Sequence, residues 1–109
     1  MEPHFGGRLI VVHELLEHTR LFQGENRQSD PVYQLLLSTD GCEAVAFIRE
    51  EEEGKTSVSM RSVDAVDIGL VARGFGGGGH KNAAGFVTPL SAAEIRGELL
   101  KGFTEVFGN

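Results

Sequence analysis

At 109 residues with a single cysteine, Cys42, the chain is long enough for one domain with its own core and cannot form an intrachain disulfide. Its 40% hydrophobic and 24% charged residues are those of a globular protein, and no apolar run approaches the roughly 20 residues needed to span a bilayer. The net charge of −6 excludes the basic stripe of proteins that track a nucleic-acid backbone, but leaves room for a local pocket for one or two phosphates. No membrane partner is expected. With no signal-peptide pattern and no disulfide, a reducing, cytoplasmic location is the expectation.

In chain order, Leu9 to Val12 form an apolar run suited to a buried strand, after which "HELLEH" turns polar and helix-like. "SDPVYQLLLSTDG" predicts a short helix. Asp30 can cap it, Pro31 suits its first position, Val32, Leu35 and Leu36 share a face, and Gly41 ends it. "CEAVAFIREEEEGKTSVSMRSV" predicts a hairpin, with Val45, Phe47, Val58 and Met60 at period two and Glu53-Gly54 at the turn. The acidic run Glu50 to Glu53 is read as a solvated hairpin tip that discourages edge pairing, not as a metal site.

Asp67 caps a further short helix carrying Ile68, Val71, Ala72 and Phe75 on one side. "AAGFVT" supplies a short strand. The closing helix is the most strongly marked element: Ser91 and Glu94 make a capping box, Leu90 and Ile95 a hydrophobic staple, and Ile95, Leu99, Phe103 and Val106 a buried stripe. The order strand, helix, helix, hairpin, helix, glycine loop, strand, helix predicts one compact α+β domain over 1–109, a mixed sheet covered by helices.

His13 and His18 resemble the ligands of a zinc-protease helix, but they are five residues apart. Five residues turn a helix by about 500°, which puts the two rings on different faces. An exposed amphipathic helix accounts for the same letters. The run "ARGFGGGGHKNAAGF" places five glycines within Gly74 to Gly79 and then His80. It fails as a dinucleotide fingerprint because a helix, not a strand, precedes it. It fails as a phosphate-binding P-loop because His80-Lys81-Asn82 replaces Lys-Ser/Thr. The physical logic of those motifs remains: consecutive glycines bring backbone N–H groups close to an anion, and a helical turn opening at "HKNAAG" adds its positive end. An anion site with His80 at its rim is preferred to a plain flexible loop. Arg61 lies on the strand face opposite Val58 and Met60, and spacing leaves a solvated arginine and a ligand contact both open. Serines 57, 59 and 62 add hydrogen-bonding groups.

"VSMRS", a short helix, "FGGGGHKNAAGF" and a closing helix together resemble the C-terminal, DHH-associated domain of DHH-superfamily phosphoesterases, nearest to bacterial nano-RNases that also act as phosphatases on 3′-phosphoadenosine 5′-phosphate. A more distant similarity is to the C-terminal domain of alanyl-tRNA synthetases. The resemblance implies a glycine-histidine segment facing an interdomain cleft and holding the phosphate end of substrate through Gly77, Gly78, Gly79 and His80. Arg61 and Ser62 would help to hold the nucleotide. It also implies an N-terminal catalytic domain with Asp and His ligands for manganese. No Asp-His-His occurs in this sequence, so the chain is expected to be the substrate-binding part of such an enzyme, inactive alone. An opening at "MEPHFGGRLIVV" is expected of a fragment of a longer protein. Short RNA or nucleotide phosphates and the DHH domain are the implied partners, with a homodimer open as the assembly. A non-catalytic nucleotide- or RNA-binding module is the alternative.

Overall fold

The computed structural model describes residues 2–14, 36–38, 41–51 and 54–107. Six strands form one sheet: β1 (Glu2–His4), β2 (Leu9–Glu14), β3 (Ala44–Glu50), β4 (Thr56–Ser62), β5 (Gly78–His80) and β6 (Ala83–Thr88). Two helices accompany them, α1 (Ile68–Gly74) and α2 (Ala92–Phe107). Across the sheet the order is β1-β2-β3-β4-β6-β5, with only β2 and β3 parallel. The fold is α+β with a mixed sheet, as the sequence predicts.

Strand β3 sits at the centre and is buried on both sides, which suits its run Ala-Val-Ala-Phe-Ile. Strand β4 alternates strictly: Thr56, Val58, Met60 and Ser62 are buried, while Ser57, Ser59 and Arg61 are half-buried. Its apolar side joins Leu9, Val11, Ala46, Ile48 and Phe86 in the main core, closed by Ile68, Val71, Ile95, Leu99 and Phe103 of the helices. On the opposite face a smaller cluster covers only the β2–β3 half, where Leu36 and Cys42 pack with Ile10, Val45 and Phe47. The β4–β6–β5 half of that face carries mostly small or polar residues. This division positions the site.

Several elements differ from expectation. His13 and Glu14 continue strand β2 instead of starting a helix, and the His13 ring nitrogen lies 2.8 Å from a Glu50 carboxylate oxygen. That pairing with the neighbouring strand is nonlocal and has no counterpart in helical spacing. Glu17 and His18, like the Asp30-capped start of the second expected helix, lie outside the described residues; Leu36 and Leu37 are helical. Strand β1 had no apolar pattern to betray it. It is held by its pairing with β2 and by Arg8, which lies 3.3 Å from Glu43 and 4.2 Å above the Phe107 ring.

The caps form as the letters require. Asp67 accepts from the Leu70 N–H at 3.3 Å. The Ser91 hydroxyl accepts from the Glu94 N–H at 3.1 Å, and Glu94 accepts from the Ser91 N–H at 3.0 Å. The Ser91 N–H bond to the carboxylate, helped by the Ser91 hydroxyl, holds the Glu94 carboxyl below its ordinary range. A carboxyl lowered on folding contributes stability above its ordinary range and loses it as pH falls through the lowered value. Glu94→Gln keeps an acceptor in the box but does not titrate. Thermal melts from neutral to acid pH should therefore show a shallower acid loss for Glu94→Gln than for wild type, with wild type the more stable at neutral pH and the two converging in acid.

Candidate functional site

The glycine run is not a loop opening a helix. Gly78–His80 is a strand, β5, hydrogen-bonded to β6 through a two-residue turn at Lys81-Asn82, and "AAG" belongs to β6. The expected helical turn at "HKNAAG" is therefore replaced by a β-hairpin. The backbone of the first glycines is also occupied. Gly76 N–H donates to the Arg73 carbonyl at 3.1 Å and Gly77 N–H to that of Ala72 at 2.9 Å. Both satisfy carbonyls left open at the end of α1. Neither N–H is available to an anion, so Gly77 does not act as a backbone donor to phosphate.

Close contact explains these glycines better than anion binding does. A Cβ at Gly77 would collide with the Gly85 carbonyl oxygen and the Phe86 Cβ, and one at Gly79 would lie 2.6 Å from Ala83 O and Ala84 Cα. Gly79 also has φ +139°, which side chains rarely adopt. Gly78 is different: a Cβ there would meet nothing within 4 Å. The fold needs glycine on either side of it, and leaves Gly78 exposed with open space above it.

Register decides which side chains share a face. Arg61 pairs with Ala83, and Ala83 with His80, so Arg61 and His80 flank one alanine on the same side of the sheet. Their Cα atoms are two strand spacings apart, about 10 Å, within the reach of an arginine and an imidazole converging on one group. The next row along is Ser59, Gly85 and Gly78, and the next Ser57 and Val87. His80 is exposed and Arg61 half-buried, with Nη1 donating to the Met60 carbonyl at 2.9 Å. What results is a shelf with two basic groups on an acidic protein, suited to holding a phosphate or carboxylate.

Ser62 lies on the other face. It is buried, its hydroxyl donates to the Val66 carbonyl at 2.6 Å, and it accepts from the Asn82 amide at 3.0 Å. It does not face the shelf with Arg61. Its part is to hold the turn in place. Asn82, to which the sequence assigned no role, is the other half of that clip. Its Nδ2 reaches Val63 O at 2.7 Å and Val66 O at 3.1 Å, while its backbone carbonyl accepts from Ser62 N–H at 3.1 Å. An asparagine at a hairpin turn was the available signal, but its partners lie sixteen to twenty residues away.

Other candidates are set aside on chemistry. Burial pushes the Cys42 thiol up, a backbone hydrogen bond at Ala44 partly offsets this and Glu43 adds to it, which disfavours the reactive thiolate. Among the described residues no three His, Cys, Asp or Glu side chains come together as metal ligands. These residues do not fit a manganese site, and no metal-dependent step is derived from them. A groove of about 670 Å³ between α1 and α2 has an apolar floor at Val71, Phe75 and Val106, but its rim carries Asp67, Glu98 and Glu105 against Lys101. That rim repels phosphate.

A six-stranded mixed sheet backed by two helices, closed at one edge by a glycine hairpin, defines the class of domain. The chain belongs to the DHHA1 domain family, whose family model matches residues 12–109. It is thus a domain of the kind associated with DHH-family phosphoesterases. Among solved structures it is similar to an exopolyphosphatase-related protein from Bacteroides fragilis, at 24% identity and a TM-score of 0.72, covering 94% of this chain and 31% of that one. It is also similar to a pGpG-specific phosphodiesterase from Vibrio cholerae, at 13% identity and a TM-score of 0.58, covering 89% and 33%. An uncharacterized protein from Helicobacter pylori G27 matches at 17% identity and a TM-score of 0.56, covering 93% and 26%. The chain spans a third or less of each of these proteins.

The close contacts yield a paired expectation. Gly77→Ala should destabilise by about 1–3 kcal/mol, because the neighbouring backbone must move. Gly78→Ala should stay within about 0.5 kcal/mol of wild type. Urea unfolding midpoints distinguish the two. Equal effects would mean that the hairpin does not sit against β6 as described.

Proposed function

We propose that the Arg61–His80 shelf binds the phosphate end of a short oligoribonucleotide or of a nucleotide 3′-phosphate. In this reading the chain is the substrate-binding domain of a phosphoesterase whose hydrolysis is carried out by an N-terminal DHH-type domain holding manganese. One observation carries it: the register brings the only two basic side chains of the β4–β6–β5 face to either side of Ala83. Their contribution is to anchor and orient. Arg61 supplies N–H donors, His80 a ring N–H, and Gly78 leaves the ligand free to approach the sheet. Family membership and the likeness to phosphodiesterase and exopolyphosphatase-related folds support a phosphate ester as the ligand.

Titration of the chain with a dinucleotide phosphodiester tests this. A hydrogen bond to a charged group contributes about 1.5–3 kcal/mol, so His80→Ala and Arg61→Ala should each weaken binding roughly 10- to 150-fold with melting temperatures unchanged. Gly78→Ala should weaken binding while leaving the fold intact, since its methyl group would occupy the space above the shelf. Unchanged affinity in both Arg61→Ala and His80→Ala would overturn the proposal.

The chain incubated alone with manganese and short RNA should release no product. Reproducible turnover would assign catalysis to this domain instead.

A further inference from the structure

The shelf has a direction. Along β4 the side chains on this face are Arg61, then Ser59, then Ser57, each two residues on. Two strand residues advance about 7 Å, close to the separation of neighbouring phosphates across one nucleoside. Three rows thus offer three successive phosphate positions, and they differ in chemistry.

The first row has Arg61 and His80. The second has the Ser59 hydroxyl beside two glycines, Gly85 and Gly78, a flat polar floor. The third row ends the track. The Ser57 hydroxyl donates to a Glu51 carboxylate oxygen at 2.7 Å, which fixes that carboxylate beside the row. Its neighbour on β6 is Val87, apolar and 63% exposed, with nothing to offer a phosphate. Its neighbour on β3 is Arg49, buried with its guanidinium 5.1 Å over the Phe47 ring and so withdrawn from the surface. Glu51 is itself held at the hairpin base by its N–H bond to the Lys55 carbonyl at 2.8 Å.

We propose that Glu51, pinned by Ser57 at the far end of the shelf, sets the length of ligand this face accepts by repelling a third phosphate. The role rests on the phosphate-binding function proposed above and specifies it. Two phosphates, and hence a dinucleotide carrying a terminal phosphate, fill the favourable rows, and a longer chain must turn away from the sheet at Glu51. This gives the second acid of the Glu50 to Glu53 run a use beyond discouraging edge pairing. Discrimination by a placed like charge is a familiar route to specificity, since an attractive site alone rewards any ligand that extends it.

The experiment is a length series of 5′-phosphorylated oligoadenylates, from dinucleotide to tetranucleotide, titrated by fluorescence anisotropy against wild type, Glu51→Gln and Arg61→Ala. Glu51→Gln keeps an acceptor for Ser57 and removes only the charge, and thermal melts check that the fold is retained. Wild-type affinity should level off at the dinucleotide. Glu51→Gln should bind the dinucleotide as wild type does and the trinucleotide roughly three- to tenfold more tightly than wild type does, a gain that shrinks in high salt. The same length profile in both proteins would overturn the role of Glu51 and leave the Arg61–His80 shelf standing. Dinucleotide binding that is absent, or unaffected by Arg61→Ala, would overturn the shelf and the length stop together.

Discussion

The approach of the glycine strand to β6 is the contact on which the rest of this face depends. Gly77 and Gly79 lie so close to Gly85, Phe86, Ala83 and Ala84 that no side chain fits between them. Only this closeness lets a three-residue strand sit flat at the sheet edge and return His80 beside Ala83. Ordering consecutive glycines is entropically expensive. The expense is offset locally by the ladder to β6, by the bonds from Gly76 and Gly77 to the end of α1, and by the clip of Asn82 on Ser62, Val63 and Val66.

That arrangement binds three elements into one unit. The Lys81 carbonyl accepts from the Ile68 N–H at 2.8 Å, so the hairpin turn also fixes the start of α1, while Gly76 and Gly77 fix its end. Phe75 then stacks on Phe86 at 4.8 Å between ring centroids, tying the same helix to β6. A helix of seven residues is too short to be stable by itself. Here it is held at both ends by the strand that follows it, and the position of His80 is as firm as the core beneath it.

The two faces of the sheet divide the labour. The helix-covered face carries the large apolar side chains, from Leu9 to Phe103, and supplies the stability. The other face is mainly apolar over β2 and β3, and across β4, β6 and β5 it carries serines, small residues, the exposed Val87 and two bases. An overall charge of −6 makes long-range attraction of a polyanion unfavourable. In the proposed role, recognition would be short-range and terminal, through direct hydrogen bonds rather than a broad field. A pair of basic groups at one end and a carboxylate at the other suits a small anion held in one orientation.

Much of this was legible in the letters because it is local. The capping box Ser91–Glu94, the Asp67 cap and the alternation of β4 each depend on residues within a few positions of one another, and each formed as read. The motif around Gly77 to His80 likewise marked the family, because it is short and unusual. What the sequence could not decide was pairing. That His13 extends a strand, that Glu2–His4 is one, and that "GGH" is an edge strand and not a loop all follow from hydrogen bonds to distant residues. So does the sorting of neighbours: Arg61 and Ser62 are adjacent in the chain, yet the pleat sends one to the shelf and the other into the core. Local propensity set the elements and their caps. Register, a property of the assembled sheet alone, decided that Arg61 and His80 lie on one face to either side of Ala83, and that Ser57, bonded to Glu51, lies on that face too.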